Sequence, residues 1–394
     1  MGDMAEKTGL ILSGGGARAA YQVGVLTAIE EMRQTAAPCT RNPYAVICGT
    51  SAGAINASVL ACGADRFGVA LQELHQVWHD FQAEQVYRSD VLEMLGSGMR
   101  WLSLLTLGWL VASRRLSPRA LLDNSPLDGL LRQKVDMNRL SALLQDGHLQ
   151  ALAITASSYS TGEHVTFYQS SQPIEPWVRN QRLAQAGPLQ HEHLLASSAI
   201  PFIFPAVCLP GPQGQAFFGD GSMRQTAPIS PAIHLGAERI LVIGAGRMQE
   251  PSQYTAEAPD YPTLGQIAGH ALSSIFLDAL SVDIERLQRI NQTLSLIPPE
   301  HRQHSRLRPV DLLVIAPSQR LDDLATRHMH ALPGSVRSLL RLLGASQQPQ
   351  QGRALLSYLL FEASYTRDLI ALGREDAQRQ KAAIHAFFGW PPAS

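Results

Sequence analysis

This chain of 394 residues has no surplus of either charge: 32 Lys and Arg stand against 33 Asp and Glu, a formal net charge of −1. Charged side chains make up only 16 % of it. Without a basic surplus there is no electrostatic footprint for a polyanion, so nucleic acid is excluded as the expected partner. The four cysteines, Cys39, Cys48, Cys62 and Cys208, form no C-x-x-C pair. That excludes the common zinc and dithiol motifs, and thiols so scattered in a long chain read as reduced, which favours a cytoplasmic location. No apolar run reaches the ~18 to 20 residues that a spanning helix requires. The opening MGDMAEKTGLILSGGGARAAY has too short an apolar stretch before its glycines for a secretory signal.

Other chemistry-bearing patterns are missing too. No G-K-[ST] follows the first glycines, which excludes a P-loop. Among the 13 histidines, His75 and His79 have the spacing of two ligands on one helix face, but no Glu follows His75 as in H-E-x-x-H. Neither a metal nor an organic cofactor is expected.

What is present is an apolar fraction of 45 %, enough for a sizeable core, in an α/β pattern. Leu10-Ile11-Leu12 reads as a strand ended by Gly14-Gly15-Gly16, with a helix-like stretch from Ala17 to Met32. The apolar strand Tyr44 to Cys48 leads into Gly49-Thr50-Ser51-Ala52-Gly53 and a second helix, Ala52 to Cys62. Strand, glycine turn and helix twice within sixty residues predict a parallel sheet with helices on both faces. Residues 65 to 145 are mostly helical in pattern. Strands return at Leu149 to Ala156, Glu163 to Tyr168, Ala216 to Phe218, Arg239 to Ala245 and Val310 to Ala316, with a helix at His191 to Ala199. From about 321 onward the pattern is helical, notably Ser335 to Leu343 and Arg353 to Leu372.

Gly49-Thr50-Ser51-Ala52-Gly53 has the form of a nucleophile elbow: a serine on a sharp turn between strand and helix. Serine is a weak nucleophile until a base takes its proton, so the motif demands a partner. The three glycines after the first strand leave backbone N–H groups free to point at an anion from the start of a helix, with Arg18 one turn in. Gly14-x-Gly16-x-x-Ala19 loosely matches the dinucleotide fingerprint as well. That reading wants an acid at the end of the second strand, where Cys48-Gly49-Thr50-Ser51 stands instead.

Taken in order, G-G-G-x-R, then G-T-S-A-G, then the turn Asp220-Gly221-Ser222 resemble the patatin-like phospholipase family. Ala196-Ser197-Ser198-Ala199-Ile200-Pro201 with Phe204-Pro205 resembles a further family segment, as do Pro228 and Pro231-Ala232 after the Asp-Gly turn. The resemblance covers roughly residues 8 to 245, and more loosely to 317. It implies a three-layer fold with a mostly parallel central sheet flanked by helices. With the helical pattern beyond it, which the resemblance does not cover, the chain is read as a disordered N-terminus at 1–7, a catalytic domain at 8–320 carrying 65–145 as a helical insertion or cap, and a helical C-terminal region at 321–394. The resemblance implies more about the site. It also implies a Ser–Asp dyad without histidine: Ser51 as nucleophile, Asp220 as base, and Gly14, Gly15, Gly16 and Arg18 as the oxyanion site. Gly49 and Gly53 then shape the elbow and Gly221 the aspartate turn. Ser222 departs from the family's small residue, and Thr226 stands where asparagine is common.

A carboxylate starts about 3.5 kcal/mol behind histidine as a base. Burial can raise its pKa by ~3 to 5, which closes that gap. The expected activity is hydrolysis of fatty-acyl esters of phospholipids or lysophospholipids through an acyl-enzyme. The rival readings are a Ser–His–acid esterase using His191 or His193, and a weakly active lipid-binding or acyl-transfer scaffold. The segment Met99 to Arg115, with Trp101, Trp109 and flanking arginines, is too short to span a bilayer; it is read either as a peripheral membrane contact or as a buried helix.

Overall fold

In the computed structural model, residues 7–39, 41–88, 120–211, 214–223, 225–246, 264–302, 307–334, 336–337 and 353–392 are described. The N-terminal residues 1–6, the segment Met99 to Arg115 and most of Ser335 to Leu343 lie outside them.

The first sixty residues form β1 (Thr8–Leu12), a 3-10 turn (Gly16–Ala19), α1 (Ala20–Ala36), β2 (Val46–Thr50) and α2 (Ala52–Cys62). The helical pattern that follows gives α3 (Phe67–His79), α4 (Ser125–Lys134) and α5 (Arg139–Gln145). Next come β3 (Ala151–Ser158), β4 (His164–Ser170), β5 (Val178–Arg179), β6 (Arg182–Ala186), α6 (His191–Ser197), β7 (Val207–Gly211), β8 (Gly214–Asp220), α7 (Ser230–His234) and β9 (Arg239–Ile243). The chain continues through α8 (Leu264–Ser295), β10 (Asp311–Ile315), α9 (Leu321–Arg327), α10 (Arg353–Leu359), α11 (Ala363–Arg379) and α12 (Lys381–Phe388). The single helix expected from Arg353 to Leu372 is therefore two, interrupted at Leu360 to Glu362.

All ten strands join one sheet in the order β10-β9-β1-β2-β3-β4-β6-β5, with β8 pairing β3 and β7 pairing β8. From β10 to β3 every pairing is parallel, as the repeated strand–turn–helix pattern requires. Beyond β3 the sheet is mixed, because β4 and β8 both run antiparallel to β3. Strand side chains alternate between faces. Leu10 and Leu12 enter one buried cluster with α1, α2, α3 and the C-terminal helices, while Ile11 enters the other with α7 and α8. Helices on both faces make this a three-layer α/β fold. Helix α11 lies along α1, and Leu369 and Ile370 share its core cluster.

One detail of register positions the site. Strand β2 ends with Thr50 paired to Thr155, and β8 pairs with β3 from the next residue, Asp220 opposite Ala156. The end of β2 and the end of β8 therefore meet beside consecutive residues of β3. Among the described residues no single helix is long and apolar enough to cross a membrane.

Candidate active site

Ser51 sits at the meeting point, between the last residue of β2 and the first of α2, with φ 54° and ψ −131°. A non-glycine residue with positive φ is held there only when its surroundings over-determine it. The glycines of the motif explain how that is done. A Cβ on Gly53 would come within 2.3 Å of Leu12 O, so only glycine lets the first turn of α2 lie against the end of β1. Gly49 is equally close to the backbone of Ala54. The Ser51 N–H donates to Ser197 Oγ at 2.8 Å, and that hydroxyl donates to Thr155 O at 2.6 Å.

The Ser51 hydroxyl donates to Asp220 Oδ2 at 2.6 Å. The other carboxylate oxygen accepts the Ser222 N–H at 2.8 Å. Asp220 is fully buried, and burial pushes its carboxyl up to about 6, against the opposing pull of the hydrogen bonds from Ser51 and from the backbone and side chain of Ser222. This turn is pinned by the end of α6 and the residues that follow it. Asp220 N–H donates to Ala199 O at 2.9 Å and Gly221 N–H to Ser197 O at 3.1 Å.

His164, which the sequence pattern does not single out, supports the same turn: its Nε2 lies 3.1 Å from Gly221 O. Burial lowers its pKa to about 4, so the ring is neutral at pH 7. Since a carbonyl only accepts, Nε2 carries the proton. The two histidines offered as rival bases are engaged elsewhere. His191 Nε2 lies 2.8 Å from Val135 O, and His193 Nδ1 accepts the Gln190 N–H at 3.0 Å at the start of α6.

The glycine loop lies directly beside the serine. A Cβ on Gly14 would be 3.0 Å from Ser51 Cβ and 2.3 Å from Ser222 Oγ. Among the described residues the N–H groups of Gly14, Gly15 and Gly16 have no hydrogen-bond partner. Three such donors next to a nucleophile can receive the oxyanion of a tetrahedral intermediate. Arg18 differs from the expectation that placed it there: its guanidinium pairs with Asp322 and its Nε donates to Ser357 Oγ at 2.8 Å. The positive φ of Gly16 and the 3-10 turn after it carry this side chain toward the C-terminal helices. The Ser222 hydroxyl is buried between Gly14 and the Asp220 carboxyl, on which it acts.

From Ser51 a cavity of about 640 Å³ runs along one face of α2, past Ile55 and Val59, walled by Trp78, Phe81 and Phe204. These positions follow the helical repeat from the serine, which makes the wall continuous and apolar. Charged residues, among them Arg66, Glu73 and Lys134, also line the cavity. Among the described residues no cluster of three His, Cys, Asp or Glu side chains could hold a metal ion.

Comparison with known families matches residues 10–233 to the patatin-like phospholipase model. No curated protein matches the chain. Among solved structures, VipD from Legionella pneumophila is 13 % identical, with 93 % of this chain and 67 % of that one covered and a TM-score of 0.36. Human GIVD cytosolic phospholipase A2, in complex with methyl gamma-linolenyl fluorophosphonate, is 14 % identical, covering 98 % of this chain and 60 % of that one at a TM-score of 0.43. Full-length ExoU from the type III secretion system of Pseudomonas aeruginosa, crystallised with SpcU, is 16 % identical over 97 % and 79 % of the two chains, at a TM-score of 0.27.

Proposed function

This chain belongs to the patatin-like phospholipase family, a family of lipid-hydrolysing enzymes, and on that premise we propose that Ser51 and Asp220 form its catalytic dyad. The observation that carries the reading is the 2.6 Å hydrogen bond from Ser51 Oγ to Asp220 Oδ2 between residues 169 positions apart. The substrate is a fatty-acyl ester of a phospholipid or lysophospholipid.

As Ser51 Oγ attacks the ester carbonyl, its proton passes to Asp220 Oδ2. The carbonyl oxygen becomes an oxyanion facing the N–H groups of Gly14, Gly15 and Gly16. Well-aimed donors of this kind contribute about 2.7 to 4 kcal/mol each. When the intermediate collapses, Asp220 returns the proton to the leaving alcohol and the acyl chain stays on Ser51. A water molecule then gives its proton to Asp220 and attacks the acyl-enzyme, and collapse restores the serine hydroxyl and frees the fatty acid. A carboxyl raised to about 6 is ionised at neutral pH yet close enough to it to act in both directions.

The apolar wall that runs from Ser51 past Ile55 and Val59 suits a fatty-acyl chain, and a cavity of about 640 Å³ has room for one. The test is labelling with an alkyl fluorophosphonate. Modification mapped to Ser51, lost in Ser51→Ala and accompanied by release of fatty acid from lysophospholipid, supports the reading. Labelling elsewhere, or turnover that survives Ser51→Ala, overturns it.

A further inference from the structure

We propose that Asp322 is a positioning residue for this chemistry: by holding Arg18 it sets the glycine loop, so the helices beyond residue 320 complete the active site. The proposal rests on the reading of Ser51 and the loop given above.

Only Ala17 separates Arg18 from the last of the three glycines. The guanidinium is buried, with 3 % of the side chain exposed, and meets three groups from outside the family-matched segment. It pairs with Asp322 at the start of α9, donates from Nε to Ser357 Oγ, and stacks 4.2 Å above the ring of Tyr358 on α10. Ser357 Oγ in turn donates to Asp322 Oδ1 at 3.1 Å, closing a triangle. The backbone is joined in the same place. Tyr358 O lies where a Cβ of Gly16 would stand, at 2.3 Å, so α10 rests directly on the loop. The far side of α10 is held by the Tyr87 hydroxyl, which donates to Leu359 O at 3.1 Å. Phe361, just past α10, lines the acyl cavity together with Gly16 and Ser51.

A buried guanidinium that loses its carboxylate is strongly destabilised, so its position follows that of its partner. Donor N–H groups stabilise an oxyanion only when aimed at the place where it develops. Removing Asp322 lets Arg18 seek water and draws the Gly16–Ala19 turn with it. The effect is then on the chemical step and not on substrate binding.

The test compares Asp322→Asn, Ser357→Ala and the double variant Arg18→Met with Asp322→Leu, which removes both charges at similar volume. Turnover of a short soluble ester is normalised to the sites that an alkyl fluorophosphonate finally titrates. For Asp322→Asn, kcat is expected to fall about tenfold or more with KM within about threefold, and the phosphonylation rate to fall in parallel. Ser357→Ala is expected to show the same pattern in smaller degree. The double variant is expected to regain the parent melting temperature without regaining kcat, and it decides the matter if Asp322→Asn does not fold. A kcat per site unchanged in Asp322→Asn, or one that recovers with the melting temperature in the double variant, overturns the proposal and leaves the ion pair a purely structural contact. If the parent chain itself fails to label at Ser51, the reading of the site falls, and this proposal falls with it. Labelling of the parent alongside indifferent Asp322 and Ser357 variants removes the positioning role alone.

Discussion

The backbone N–H of Ser51 is satisfied by the side chain of Ser197, whose hydroxyl also reaches across to Thr155 O on β3. One buried hydroxyl thus joins the elbow, the last residue of α6 and the strand that sets the register of the site. A residue at φ 54° needs such a constraint to stay where it is.

Ser197→Ala leaves the Ser51 N–H and the Thr155 carbonyl without this link. The expected loss of stability is about 1 to 3 kcal/mol, read from denaturant midpoints at constant m. Displacement of the nucleophile is expected to lower kcat by about 100-fold, since misplacement by ~1 Å has that effect in catalysis. A wild-type rate of acylation in Ser197→Ala would show that the elbow holds itself.

Asp220→Asn separates activity from stability. An amide cannot take the serine proton, so ester turnover is expected to vanish, and the double variant with Ser51→Ala to be no worse than either single change. Folding moves the Asp220 carboxyl from 3.8 to about 6, so the folded state binds its proton more tightly and stability from this group falls as pH rises through that window. At pH 7 the buried charge therefore costs up to about 3 kcal/mol. Asp220→Asn is expected to melt higher than the parent at pH 7, with the advantage shrinking toward pH 4. An equal or lower melting temperature at pH 7 contradicts the assignment of the burden to this carboxylate.

The same carboxyl governs the acid limb of the rate. With Asp220 at about 6, kcat/KM for a short ester is expected to rise about tenfold per pH unit below that value and to level off above it. His164 titrates at about 4 and lies outside the range that sets this limb. Stopped assays from pH 4.5 to 8 on folded protein locate the midpoint. A flat profile across pH 5 to 7 speaks against Asp220 as the base.

Val59 lies on the α2 face that walls the cavity, two helical turns from Ser51. Val59→Trp fills that stretch and leaves the serine end open. Each methylene excluded removes about 0.8 kcal/mol of transfer free energy, so losing two reduces preference for a long ester about fifteenfold. The ratio of kcat/KM for hexadecanoyl to butanoyl esters reads this directly. An unchanged ratio would place the acyl chain elsewhere.

The buried Ser222 hydroxyl acts on the Asp220 carboxyl and, with the Ser51 hydroxyl and the Ser222 N–H, opposes the rise that burial causes. Ser222→Ala keeps the N–H that supports Asp220 Oδ1 and removes the hydroxyl's share. The acid limb of kcat/KM is then expected to move to higher pH. A limb that stays where it is in the parent would mean that the hydroxyl does not act on the carboxylate.

The sequence by itself determined the family and the local grammar. Glycines at 14–16, 49 and 53 mark the places where a strand end must turn sharply against a helix start, and such close approach is a local demand that residue type reveals. The short apolar runs of β1 and β2 and the apolar helix α2 are local as well, because residue type along the chain is enough to mark them as buried elements. The pairing of Asp220 with Ser51 was legible only through the family resemblance; the physical cause, β8 pairing with β3 one residue beyond the end of β2, is a register that only the tertiary structure shows. The tertiary structure also decided which other distant groups meet. Ser197 carries no signal of its hydrogen bonds beyond its place in a family segment, and His164 carries none. Arg18 is the sharpest case. Its place after the glycines points toward the oxyanion site, yet the charge is drawn to Asp322, because a buried cation goes to the carboxylate within reach and sequence proximity has no say in what lies across the core.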